Sequence, residues 1–366
     1  MKIHNTAPEA DRAILVGVGI NETIDETSLD ELSSLCATCN IQEAGRAIQN
    51  RKDIDVTYLI GQGKVEEIEE LIKQKDATCV VFDVELSGSK QRNLEKAFNV
   101  PVLDRSRIIL DIFAQRAQSM EGKLQVELAQ LKYNLPRLVV GSSVIMAKMK
   151  TAVGMRGPGE KKLELDKRKI RDEIADLEKR LKKLGSNRDL NRKLAQKGGK
   201  PRVCLVGYTN SGKSTLLNTM TKAGVLAEDK LFATLDPKTA NVYIATTGMQ
   251  ILLTDTVGFI DKLPHEFINA FESTLDEARY ADLLLHVVDV SNDNYAEQIA
   301  VTNATLEKIG AHKVPQILVL NKIDNLSKIG QEMLEREFRG KRFVPISAKK
   351  NVGLDALKNV IVEMLI

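Results

Sequence analysis

Arg202-Val-Cys-Leu-Val-Gly-Tyr-Thr-Asn-Ser-Gly-Lys-Ser-Thr215 is the stretch from which the rest of the chain is read. Val203–Val206 is an apolar run that reads as a buried strand. It stops at Gly207, and Gly212-Lys-Ser214 opens a helix over 213–222. The spacing G-x-x-x-x-G-K-S between a strand and a helix is that of a phosphate-binding loop. Small residues let backbone N–H groups turn inward around phosphate oxygens, and the helix N-terminus adds the positive end of its dipole. Gly207, Tyr208, Thr209, Asn210, Ser211, Gly212, Lys213, Ser214 and Thr215 form the candidate phosphate set. Lys213 can reach the β- and γ-phosphates, and the Ser214 hydroxyl is placed for Mg²⁺. A chance glycine loop is the plain alternative, and the downstream residues weigh against it.

Phe232-Ala-Thr-Leu-Asp-Pro237 lies in a segment of weak periodicity, as suits a switch. Thr234 is the candidate there for Mg²⁺ and γ-phosphate contact, with Thr239 as runner-up. Asn241–Ala245 and Met249–Thr254 flank Thr246-Thr-Gly248, a hairpin signal. The second strand runs into Asp255-Thr-Val-Gly258, a D-x-x-G. Asp255 is a candidate for Mg²⁺, and the Gly258 N–H for the γ-phosphate. Strands at Leu283–Val288 and Gln316–Leu320 follow. The latter meets Asn321-Lys-Ile-Asp324, and a strand at Arg342–Ile346 ends in Ser347-Ala348. A carboxylate at Asp324 accepts both N1–H and the N2 amine of guanine, a donor pair that adenine lacks. Asn321, Lys322, Asp324, Ser347 and Ala348 are thus the candidate base-binding set. Each short motif is weak alone; four in order, each at a strand end, point to a GTPase. Lys213, Thr234 and Gly258 are the expected catalytic groups, and Ser214, Thr234 and Asp255 the expected Mg²⁺ ligands. Phe259 stands where Ras-like GTPases place a water-orienting glutamine, so slow intrinsic hydrolysis is expected. Asn210 resembles the asparagine of GTPases that hold K⁺ beside the phosphates; a loop-shaping role is its alternative.

A length of 366 residues suits two or three domains. Hydrophobic content of 43% and charged content of 28% are those of a globular protein. No run of eighteen apolar residues is present, so no membrane span is expected. The N-terminus lacks the apolar core of a signal peptide. Four cysteines in this length suit a reducing compartment, and a cytoplasmic location is expected. Cys36 and Cys39 form a lone C-x-x-C without a second ligand pair, and read as small hydrophobes on a helix face. The net charge is +3, unevenly spread. Residues 142–202 hold 19 Lys/Arg against 8 Asp/Glu, and the remainder nets −8. That asymmetry suggests a polyanionic partner.

Upstream of the loop, strands and helices alternate over about 1–112, a small α/β domain. A buried strand is expected at Ala13–Gly19. Its glycines begin a dinucleotide fingerprint that fails at Glu22. Ser28 with Glu31 forms a capping box for a helix to about Cys39. Further strands are expected near 40–48, at Val56–Ile60, Thr78–Asp83 and Val100–Leu103, with helices at Val65–Gln74 and Gln91–Phe98. Gly61-Gln-Gly-Lys64 reads as a tight turn, with phosphate capture as the sharper alternative. Leu124, Leu128, Leu131 and Leu135 repeat 4-3-4, and Ile170, Ile174, Leu177, Leu181 and Leu184 repeat 4-3-4-3. These are coiled-coil seams, so an antiparallel helical hairpin is expected over 113–198 with its tip at about 136–158. Lys148, Lys150 and Arg156 at the tip, with Lys161 and Lys162 beyond it, suit an RNA backbone. The GTPase domain is expected over 199–366.

That order of parts is similar to the HflX family of ribosome-associated GTPases. Arg156-Gly-Pro-Gly-Glu160, Ala233-Thr-Leu-Asp-Pro237 and the extension of D-x-x-G by Phe259-Ile260 carry the likeness across essentially the whole chain. The site motifs give GTP and GDP as ligands and Mg²⁺ as cofactor, with K⁺ at Asn210 as a second candidate, and the resemblance implies the large ribosomal subunit and its rRNA as partners. It implies splitting of stalled ribosomes, with the hairpin loop near the peptidyl-transferase centre, and it credits the N-terminal part with ATP hydrolysis. The loop departs from the family's usual glycine run, reading Met146-Ala-Lys-Met-Lys-Thr-Ala-Val-Gly-Met-Arg156. A monomer is expected. The alternatives are a checking factor for large-subunit assembly and a GTP-gated RNA-binding protein. The expected class is α/β, with a Ras-like domain built on a mostly parallel sheet.

Overall fold

Ala13–Gly19 is apolar without alternation because the strand it forms is covered on both faces. In the computed structural model, which describes residues 10–21, 23–24, 26–53, 55–138, 159–196, 199–221, 231–232, 235–262 and 272–366, this strand is β1 (Asp11–Ile20). It pairs in parallel with β2 (Ile41–Arg51) and β3 (Cys79–Phe82), and β3 with β4 (Val102–Asp104). The order is β2-β1-β3-β4. An all-parallel sheet needs crossover helices. Those between the strands are α1 (Asp30–Thr38), α2 (Gln62–Lys75) and α3 (Gly88–Phe98), and α4 (Arg105–Arg116) follows β4. Ile14, Val80 and Phe82 form the core with Ile68 and Leu94.

Two local expectations change. Ser28 does not cap α1: residues Glu26–Leu29 form a 3₁₀ turn, and Leu29 stands at the cap without a side-chain bond. Glu31 is instead drawn to Arg105, which also meets buried Asp83 at 2.8 Å. Val56–Ile60 is a turn rather than a strand, because the Asp55 carboxylate accepts the N–H groups of Thr57 and Tyr58, both at 2.8 Å, and leaves Val56 89% exposed. Gly61 caps α2, and Lys64 pairs along the helix with Glu67 at 2.6 Å, in keeping with a tight turn. Burial raises the thiol pKa of Cys36 and Cys39, as inert packing residues require.

The leucine repeats form α5 (Met120–Asn134) and the long α6 (Gly159–Gln196). Leu124, Leu128, Leu131 and Leu177 are buried, and Ile170, Ile174, Leu181 and Leu184 are half-buried amid exposed charges. Lys132 and Glu178 join the two helices at 2.7 Å. At the end of α5, Arg137 meets Asp104 at 3.2 Å and Tyr133 donates to the same carboxylate at 2.9 Å.

The remaining strands are β5 (Arg202–Val206), β6 (Lys238–Ile244), β7 (Met249–Asp255), β8 (Leu283–Asp289), β9 (Gln316–Asn321) and β10 (Phe343–Pro345). Their order is β10-β9-β8-β5-β7-β6, parallel except for the β6–β7 hairpin. The helices among the described residues here are α7 (Lys213–Thr221), α8 (Glu272–Arg279), α9 (Tyr295–Lys308), α10 (Lys328–Glu337) and α11 (Leu354–Leu365). Leu205, Leu217, Leu253, Leu285, Val319 and Leu357 are fully buried in the core. Because β5, β7, β8, β9 and β10 run the same way, Gly207, Asp255, Asn321 and Ser347 reach one edge of the sheet, where α/β folds bind ligands. By contact the chain divides into two compact units, residues 1–115 with 126–180, and residues 116–125 with 181–366.

Candidate nucleotide site

The loop after β5 turns on three left-handed residues: Gly207 (φ +144°), Asn210 (φ +59°) and Gly212 (φ +96°). Glycine is required at two of them. A Cβ at Gly207 would lie 2.2 Å from the Val287 carbonyl, and one at Gly212 would lie 2.3 Å from the Asn321 amide nitrogen. Lys213 opens α7 and is buried; its Nζ donates to the carbonyls of Gly207 (3.1 Å) and Tyr208 (2.7 Å). Burial pushes its pKa down to about 8, opposed by the charge of Asp255. His286 on β8 is buried as well, and burial with the Lys213 charge pushes it down to about 3, so it is neutral. The hydroxyls of Thr209 and Ser211 are buried in the loop and lack a hydrogen-bond partner among the described residues.

Ser214 donates to the buried Asp255 carboxylate at 2.6 Å, bringing two hard oxygens together at the end of β7. The D-x-x-G turn is joined directly to the phosphate loop. Phe259 N–H donates to Gly207 (3.0 Å), Thr209 N–H donates to Phe259 (2.7 Å), and Asp261 N–H donates to the Tyr208 hydroxyl (2.8 Å). Gly258 lies close enough that a Cβ there would stand 2.8 Å from Thr209 Cα and 3.0 Å from Lys213 Nζ. Phe259 does not face the site. It is 2% exposed, packed on Cys204, Val206, Leu275, Ala278, Leu284 and Leu306. Thr239, the runner-up to Thr234, is held in the hairpin, its hydroxyl 2.9 Å from that of Thr254.

The expected base-binding residues also meet. The Asn321 side chain donates to the Ser211 carbonyl (2.8 Å) and accepts from Ala348 N–H (3.0 Å), tying the phosphate loop to the strand end after β10. Ser347 donates its hydroxyl to Asp324 at 2.7 Å, and Lys350 stands 3.6 Å away; both hold the carboxyl below its ordinary pKa. Lys322, in left-handed backbone (φ +66°), pairs with Asp289 at 2.6 Å. Sequence reading missed Asp289 and His286; a carboxylate closing a parallel strand beside the loop is the signal that marks Asp289. Thr215 lies in the first turn of α7, and Lys161 and Lys162 in the first turn of α6. Thr234, Lys148, Lys150 and Arg156 lie outside the described residues.

Three family models match along the chain: a GTP-binding GTPase N-terminal region over 26–114, a GTP-binding GTPase middle region over 116–194, and a 50S ribosome-binding GTPase over 202–322. GTPase HflX of Caldanaerobacter subterraneus subsp. tengcongensis is 46% identical over 355 residues, 97% of this chain and 81% of that protein. This chain belongs to the HflX family of GTPases. Its HflX relative from Escherichia coli K12 is 42% identical, over 97% of this chain and 83% of that one. Among solved structures, SsGBP in complex with GDP aligns over 97% of this chain and 98% of its own, with 25% identity and a TM-score of 0.50. As an HflX-family protein the chain is a P-loop GTPase that binds guanine nucleotides. No helix among its described residues is long and apolar enough to cross a membrane.

Proposed function

We propose that this GTPase works on the large ribosomal subunit in the cytoplasm as a monomer, binding in its GTP state and splitting stalled ribosomes. What carries the reading is a guanine-nucleotide site on the same chain as a strongly basic stretch of sequence, 19 Lys/Arg against 8 Asp/Glu over 142–202, in a chain whose residues 202–322 match the 50S ribosome-binding GTPase model. The working division is an α/β domain over 1–112, a helical hairpin over 113–198 and a GTPase domain over 199–366. Within the site, Gly207–Thr215 hold the phosphates, and Asn321, Lys322, Asp324, Ser347 and Ala348 hold the base. Lys213, Thr234 and Gly258 act on the γ-phosphate.

The Ser214 hydroxyl and Asp255 carboxylate, 2.6 Å apart, are the hard oxygen donors that Mg²⁺ takes, and both fit it; Thr234 would complete the set. Held by these oxygens, Mg²⁺ would supply positive charge to the bound phosphates. Asn210 is the candidate K⁺ ligand, and turnover unchanged on exchanging KCl for NaCl would remove it from that role. With Phe259 turned into the core, no side chain replaces the water-orienting glutamine at that position, so docking on the subunit supplies the activation. Lys148, Lys150, Arg156, Lys161 and Lys162 contact rRNA through its phosphates.

Light scattering from intact ribosomes tests this. The full chain with GTP lowers the scattering as ribosomes split. A chain lacking residues 142–158 leaves scattering unchanged while its basal GTP turnover stays within about twofold. Equal loss of both activities contradicts the assigned role of the tip. Binding to precursor but not mature subunits would favour assembly checking instead.

A further inference from the structure

The residues just after Thr234 are anchored on a segment outside the candidate nucleotide set. Asp236 lies two residues after Thr234 and two before β6. Its carboxylate accepts the N–H of Gln118 at 2.9 Å and of Ser119 at 2.8 Å, and also the Ser119 hydroxyl. Ser119 stands just before α5, where its hydroxyl accepts Gly122 N–H at 2.9 Å and its carbonyl accepts Lys123 N–H at 3.0 Å. The Asp236 charge therefore sits at the positive end of α5, on amides that the helix itself cannot satisfy. The fit leaves no room: a Cβ on Gly122 would stand 2.5 Å from the Asp236 carboxylate. Beside it, Leu231, Phe232 and Leu235 are buried. The nucleotide-binding fold requires no such bond to a helix that precedes it by more than a hundred residues.

We propose that Asp236 is a positioning residue for the GTP state. By holding residues 235–237 on the turn that opens α5, it favours GTP through the adjoining Thr234, and GTP in turn strengthens the joint at residues 118–119. This rests on the reading of Thr234 as the γ-phosphate contact. Preorganisation strengthens binding by removing entropy that would otherwise be lost on association. GDP, which lacks the γ-phosphate, gains nothing from it. The coupling is reciprocal: whatever GTP gains from a seated α5, α5 gains from GTP.

The test is the ratio of affinities for a non-hydrolysable GTP analogue and for GDP, measured on the full chain. Asp236→Asn and Gly122→Ala break the joint from opposite sides. Each is expected to weaken the analogue about tenfold, with GDP changed less than twofold. A cap that serves only the helix would lower the melting temperature and leave the ratio unchanged, which overturns the proposal. Hydrogen exchange on the unaltered protein gives a second reading: amides 118–123 are better protected with the analogue than with GDP. Equal protection also overturns it. Thr234→Ala tests the assignment beneath. A lost preference for the analogue in Thr234→Ala, but not in Asp236→Asn, leaves that assignment standing and refutes the coupling. No loss in Thr234→Ala refutes the assignment itself.

Discussion

Asp324 and Lys213 sit at opposite ends of the candidate nucleotide site; a neighbour fixes the charge of one, and burial shifts that of the other. For Asp324 it is Ser347, whose hydroxyl at 2.7 Å favours the ionised carboxylate that guanine needs. Asp324→Asn replaces an acceptor with a donor. GTP affinity should fall about 10- to 100-fold, the span of one or two charge-assisted hydrogen bonds. Xanthosine triphosphate, which carries an oxygen in place of the guanine amine, should gain. Competition between the two nucleotides reads both changes, and an intact preference for GTP contradicts the assignment. Lys213 is the reverse case. Burial lowers its pKa to about 8 in the free protein, so a bound phosphate, which restores the ammonium, must bring a proton with it above that pH. Nucleotide affinity is then expected to weaken about tenfold per pH unit above 8. The same shift makes the unfolded chain bind more protons between about 8 and the ordinary lysine value, so stability of the free protein rises with pH across that window. Calorimetric titration in buffers of different ionisation enthalpy detects the proton, and binding at pH 9 without uptake contradicts the account.

Among the elements, what sequence made legible and what it hid have different physical origins. β5 and β8 could be placed because a strand buried on both faces is a short apolar run, and β7 and β9 because each apolar run stops at a polar motif residue, Asp255 and Asn321. The stripes of α5 and α6 were legible for the same reason, as their period is set by the helix. Val56–Ile60 has strand-like residues but a local cap from Asp55 overrides them. Ser28 does not cap α1 because the chain first makes a 3₁₀ turn that puts Leu29 at the cap, and Glu31 meets Arg105, a residue 74 positions away. The bonds of Tyr208 to Asp261 and of Asp236 to Ser119 were likewise invisible, since such partners are chosen by tertiary packing rather than by spacing. Phe259 shows the consequence. Its position invites a Gln substitution to restore water orientation, yet its ring is an anchor in the core beneath β5 and β8. Phe259→Gln is therefore expected to give no gain in basal GTP turnover and to lose about 3–5 kcal/mol of stability, the range for emptying a buried aromatic site. Denaturant unfolding with a turnover assay checks it; a faster enzyme of unchanged stability refutes the anchoring role.

At the scale of the whole molecule, an uneven charge balance and a GTP site on one chain are what make a ribosomal partner the best reading. A site with Lys213, Ser214 and Asp255 in place, but with its D-x-x-G turn joined to the phosphate loop and Phe259 buried in the core, is expected to hydrolyse GTP slowly when alone. The basic region offers the means by which a partner could change that. GTP hydrolysis measured with and without purified large ribosomal subunits, with the same mixtures pelleted to score binding, tests this most directly. The account predicts stimulation of at least about tenfold, together with GTP-dependent co-pelleting that is lost with GDP. A basal rate unchanged by subunits and a protein left in the supernatant would contradict the ribosomal function while leaving the GTP site intact.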